Sequence, residues 1–71
     1  MGTPTIRNEI RRLRFEHGEM TQQQLAQKVG VTRQTINAIE QCKYSPSLEA
    51  AFRISAVFGQ PLESVFRYCH D

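Results

Sequence analysis

Seventy-one residues leave room for one domain, close to the lower size at which a core holds together without disulfides or metal, so most apolar side chains must be committed to folding. Two cysteines, Cys42 and Cys69, are too few and too far apart for a disulfide framework or a paired zinc knuckle, no apolar stretch approaches bilayer-spanning length, and MGTPTIRNEI lacks the apolar core of a signal peptide; a soluble, cytoplasmic protein with free thiols is expected. The net charge of +2 is modest, but residues 1–43 carry seven Lys or Arg against four acids and residues 44–71 two against three, so the positive field lies on the first part of the chain, where it suits either a polyanion or a solvated basic face.

Ile6, Ile10 and Leu13 fall at i, i+4 and i+7, so TIRNEIRRLRFEHG reads as a first amphipathic helix with Gly18 after its last turn. Thr21 can cap a second helix whose apolar edge is Leu25, Ala26 and Val29 and which Gly30 stops. Thr32 repeats the cap for a third, running to about Gln41 and buried along Ile36 and Ile39. KYSPS supplies a turn, after which Ser47 starts a fourth helix buried through Leu48, Ala51, Phe52, Ser55 and Phe58 and ended by Gly59. A short fifth, about 61–67, opens on Pro61 and turns Leu62, Val65 and Phe66 inward or toward a partner. No strand-like alternation, repeat or linker is seen, so the expected fold class is all-α: a compact bundle of five short helices in a single domain, residues 1–71.

The second and third helices are joined by only Gly30, Val31 and the Thr32 cap, so they must cross steeply and approach closely, which a side chain larger than Ala26 would prevent. Gly30 sits where the chain reverses and reaches positive φ without steric cost. With Val31, Ile36 and Ile39 holding the third helix by one edge, Arg33, Gln34, Thr35, Asn37 and Ala38 are left on the other. A small residue, a glycine four on and a β-branched anchor six later (Ala26, Gly30, Ile36) is the helix-turn-helix pattern, expected over about residues 21–41. The order MTQQQLA, VGVTRQTINAIE, YSPSLE, VFG across residues 6–66 resembles the small regulators of the Cro and lambda-repressor superfamily, the xenobiotic-response-element family.

That resemblance implies a sequence-specific DNA-binding transcriptional regulator, expected to act as a repressor. Arg33, Gln34, Thr35, Asn37 and Ala38 match positions that reach base edges in the major groove. The chemistry agrees, since Arg can grip guanine twice, Gln or Asn adenine, and Thr or Ala can touch a thymine methyl. Gln22, Gln23, Thr32, Lys43 and Tyr44 are the expected phosphate contacts. The resemblance also implies an ion pair between Arg14 and Glu40 that sets the angle between two helices. One such module reads few base pairs, so a homodimer on a palindromic operator of double-stranded DNA is expected, with Leu62, Val65, Phe66 and Tyr68 as dimer contacts.

The chain departs from the family at EQCK, where Cys42 stands in place of a glycine that closes the helix in a left-handed conformation; either the turn differs or Cys42 bears strain of about 1 kcal/mol or more. The loop HGEMT is a residue longer than usual, which makes Met20 rather than Glu19 the apolar plug. His17 and His70 share no ligand-like spacing, so no metal site is expected, nor any cofactor. No Ser/His/Asp grouping, paired carboxylates or glycine-rich phosphate loop is present, so no enzymatic activity is expected. The alternative function is an antitoxin or other protein-interaction module that covers a toxin or another protein partner, its DNA binding autoregulatory; a long covering extension would mark it, and the 71 residues carry almost none.

Overall fold

The computed structural model describes residues 5–69; His70 lies outside them. In chain order the elements are β1 (Thr5–Asn8), α1 (Ile10–Glu16), α2 (Gln22–Val29), α3 (Arg33–Glu40), α4 (Leu48–Phe58), α5 (Leu62–Val65) and β2 (Phe66–Cys69). Among the described residues there are five helices, but the fold is not strictly all-α. β1 and β2 form a two-stranded antiparallel sheet in which Ile6 faces Tyr68 and Asn8 faces Phe66.

Asn8 accounts for the first difference from expectation. Its Oδ1 accepts the Ile10 N–H at 3.2 Å, a local bond that competes with helix formation, and its Nδ2 donates to the Ile39 carbonyl at 2.8 Å. The helix therefore begins only at Ile10, and the preceding residues are free to pair as a strand. At the other end, the expected helix over 61–67 is a single turn, Leu62–Val65. Phe66 is already extended at φ −123° and ψ 143°, because the aromatic run Phe-Arg-Tyr suits a strand once β1 is available to bond it.

Helix ends follow local chemistry. Thr21 forms a capping box with Gln24, its Oγ1 accepting the Gln24 N–H at 3.0 Å while Gln24 Oε1 accepts the Thr21 N–H at 2.9 Å. Thr32 and Ser47 cap α3 and α4 by accepting from Thr35 and Ala50. Gly30, at φ 89°, closes α2: its N–H and that of Val31 both donate to the Ala26 carbonyl, at 2.8 and 3.0 Å.

The core is built from Ile10, Leu13, Leu25, Ala26, Val29, Ile36, Ile39, Ile54, Phe58 and Val65, with Met20, Val31, Val57 and Phe66 packed against it. Two expected core residues of α4 lie outside, Leu48 at 69% exposed and Phe52 at 54%; the helix turns Ile54 inward instead. Val65, expected at a dimer contact, is 1% exposed and belongs to the core, so it has no surface to offer a partner. Among the described residues no helix is long and apolar enough to cross a membrane.

Candidate nucleic-acid interface

α3 is attached to the rest of the molecule by Ile36 and Ile39, both buried. A helix held along one stripe must present the opposite one. Arg33 and Gln34 are exposed at its first turn, Asn37 and Ala38 are half-buried one turn on, and Gln41 is exposed beyond them. Thr35 is half-buried, its Oγ1 2.9 Å from that of Thr32. Thr32 thus spends its hydroxyl on holding the helix start.

The edge between α2 and α3 carries a continuous polar chain. Arg14, on α1, grips Glu40 with two bonds, Nε to Oε2 at 2.6 Å and Nη2 to Oε1 at 3.1 Å, and its Nη1 donates to the Met20 carbonyl at 2.7 Å. The Arg14 and Glu40 side chains are only 15% and 9% exposed, so each depends on the other for its charge to be tolerated. Gln22 Nε2 donates to Glu40 Oε1 and to Asn37 Oδ1, both at 3.2 Å, and Gln41 Nε2 approaches the same Asn37 oxygen at 3.4 Å. One guanidinium, one carboxylate and three amides therefore tie α1, α2 and α3 into a fixed relative position.

The glutamine run divides its labour accordingly. Gln22 braces α3, Gln24 closes the capping box, and Gln23 is exposed. Gln24's role was available from the spacing Thr-x-x-Gln. Gln41 stands four residues after Asn37, a spacing that brings side chains together at a helix end, whereas the Asn8 contact with Ile39 carries no such signal because it joins segments far apart in sequence.

At its far end α3 closes with Cys42 at φ 59°. The Cys42 N–H donates to the Ile39 carbonyl and the Lys43 N–H to that of Ala38, both at 2.9 Å, so the glycine-type turn is fully formed and Cys42 bears its left-handed geometry. Lys43 and Tyr44 are exposed directly after it.

Charge is sorted on the surface. Arg12 pairs with Glu9 and Glu16, Arg53 with Glu49 and Arg67 with Glu9. The hydrogen bond to Glu9, followed by that to Glu16, raises the Arg12 pKa. Arg33 and Lys43, which bracket α3, make no ion pair among the described residues. No group of three His, Cys, Asp or Glu able to hold a metal ion occurs among them either.

Away from α3, Ile6, Leu62, Phe66 and Tyr68 line one shallow apolar surface together with Glu63 and Arg67. Leu48 and Phe52, one turn apart on α4, are further exposed apolar groups that periodicity alone had assigned to the interior.

The chain matches a helix-turn-helix family model over residues 10–65. It is 47% identical over 66 residues to an uncharacterized HTH-type transcriptional regulator of Methanocaldococcus jannaschii, covering 93% of this chain and 98% of that one. A regulator of the same description from Methanothermobacter thermautotrophicus is 50% identical over 62 residues (86% of this chain, 88% of that one), and YgzD of Bacillus subtilis is 43% identical over 61 residues (86% and 91%). With a helix-turn-helix formed by α2 and α3, and with these relatives matching it along nearly their whole length, the chain belongs to the Cro/C1-type helix-turn-helix family of DNA-binding transcriptional regulators.

Proposed function

We propose that the protein is a sequence-specific repressor that binds a palindromic operator as a homodimer, inserting α3 into the major groove of each half-site. Arg33, Gln34, Thr35, Asn37 and Ala38 meet base edges in this reading. Gln23, Lys43 and Tyr44 meet phosphates through their side chains, Gln22 and Thr32, whose side chains are engaged within the protein, through backbone N–H groups at the helix starts, and Leu62, Phe66 and Tyr68 meet the second copy. The observation that carries it is the pairing of a buried Ile36–Ile39 stripe with an exposed polar start of α3, braced from behind by Arg14, Glu40 and Gln22. A helix so held keeps its outward side chains in one register, which base reading requires.

Two copies are needed because a good paired contact to a base supplies only about 1–3 kcal/mol of discrimination. Isologous contact between two such modules sets their reading helices about one DNA turn, roughly 34 Å, apart. Selection of duplexes from a random pool tests both parts of the reading. The expected outcome is a palindrome with half-sites one turn apart, occupied by two chains. Recovery of asymmetric sites bound by one chain, with only monomer sedimenting at micromolar concentration, would refute the homodimer.

A further inference from the structure

The contact between Gln22 and Asn37 has a direction, and Glu40 sets it. A carboxylate only accepts hydrogen bonds, so the amide end of Gln22 that lies 3.2 Å from Glu40 Oε1 must be its nitrogen. Turned over, Gln22 would oppose oxygen to oxygen beside a charge that Arg14 holds in place. Because the nitrogen carries two protons, it satisfies Glu40 with one and the Asn37 side chain with the other, and Asn37 must meet it with Oδ1. Gln41 Nε2 approaches the same oxygen. Asn37 Oδ1 is thus engaged inside the protein by Gln22, with Gln41 Nε2 3.4 Å away on its other side, while Asn37 Nδ2 has no hydrogen-bond partner among the described residues.

We infer that Asn37 meets DNA as a donor only. It engages a hydrogen-bond acceptor of the duplex, and it does not make the paired contact to adenine, which requires Oδ1 to accept from the adenine amino group while Nδ2 donates to N7. That pairing would require Asn37 to release Gln22 or Gln41. The acceptor is guanine N7 or O6, adenine N7, thymine O4 or a phosphate oxygen, chemically alike in accepting one N–H. This inference rests on the DNA-binding reading above and narrows what one residue of it recognises.

The test has one arm without DNA and one with it. In the free protein, hydrogen exchange of the side-chain amides followed by NMR is expected to find the Gln22 Nε2 protons about tenfold slower to exchange than the Asn37 Nδ2 protons, and to find Gln22 still slowed in Asn37→Asp, which keeps the acceptor. The opposite order overturns the inference with no bearing on DNA binding. On the selected duplex, bases are replaced singly by 7-deazaguanine or 7-deazaadenine, by 2-aminopurine in place of guanine, which lacks O6, by a thymine analogue lacking O4 or by purine in place of adenine, and phosphates by methylphosphonates. One loss of acceptor is expected to weaken the wild type about tenfold and to have no further effect in Asn37→Ala or Asn37→Asp; the atom concerned tells base from backbone. If instead removal of an adenine amino group carries a cost that vanishes in Asn37→Ala, or if no acceptor loss depends on residue 37, the inference is wrong while the DNA-binding reading stands. A wild-type chain that selects no duplex removes that reading and this one together.

Discussion

Between Thr21 and Lys43 the backbone is closed at each turn by atoms a few residues away: the Thr21 and Thr32 hydroxyls, the Ala26 carbonyl under Gly30, and the Ile39 and Ala38 carbonyls under Cys42 and Lys43. The sheet that joins β1 to β2 has no such closure. Its strands come from opposite ends of the chain and exist because each supplies the other's hydrogen bonds. The reading unit is therefore specified locally and then clamped, whereas the sheet exists only once the bundle has brought its edges together.

The comparison can be broken most forcefully at the stripe that holds α3. Ile36 is fully buried, so Ile36→Ala should lower unfolding free energy by about 3 kcal/mol in urea titrations, with loss of all DNA binding at temperatures where the variant is unfolded. A cost below about 1 kcal/mol would mean that α3 is held by something other than its buried edge. Val65→Ala probes the other region: burial at 1% predicts a loss of about 2 kcal/mol, with the self-association constant measured by sedimentation unchanged. Weakened self-association at unchanged monomer stability would return Val65 to the interface.

Smaller effects sharpen the contrast. Cys42→Gly should raise stability by about 1 kcal/mol, because the φ of 59° that a cysteine resists is one glycine adopts freely; thermal unfolding reads the sign directly. Lys43→Ala should weaken binding to every duplex alike and reduce the slope of log affinity against log salt by about 0.9 per binding module. A sequence-selective effect of Lys43→Ala would make it a base contact instead.

The sequence carried the reading unit well because its determinants are short-range. Thr21, Thr32 and Ser47 act on N–H groups three residues on, and Ala26, Gly30 and Ile36 have a fixed order. The sheet was hidden for the converse reason. Ile6 shares a helical period with Ile10 and Leu13, and the local bond from Ile10 to Asn8, the bond from Asn8 to Ile39 and the pairing with Phe66–Cys69 together override that period. Leu48 and Phe52 misled in the same manner, since apolar spacing identifies a stripe but not whether protein or solvent lies against it. At the candidate site, which residues share the outward edge of α3 was readable, whereas the polarity of Asn37 was not. That polarity depends on Glu40 and Gln22 meeting across two helices.

The carbonyl of Ile39 holds two donors at once, the Cys42 N–H and Asn8 Nδ2, while that of Ala38 holds the Lys43 N–H. The electronegative pole of α3 is thereby muffled by the protein itself. A polyanion arriving at this end would encounter a lysine and occupied oxygens instead of bare ones, so the strained cysteine turn and the first strand jointly remove a repulsion that a frayed terminus would have presented to it.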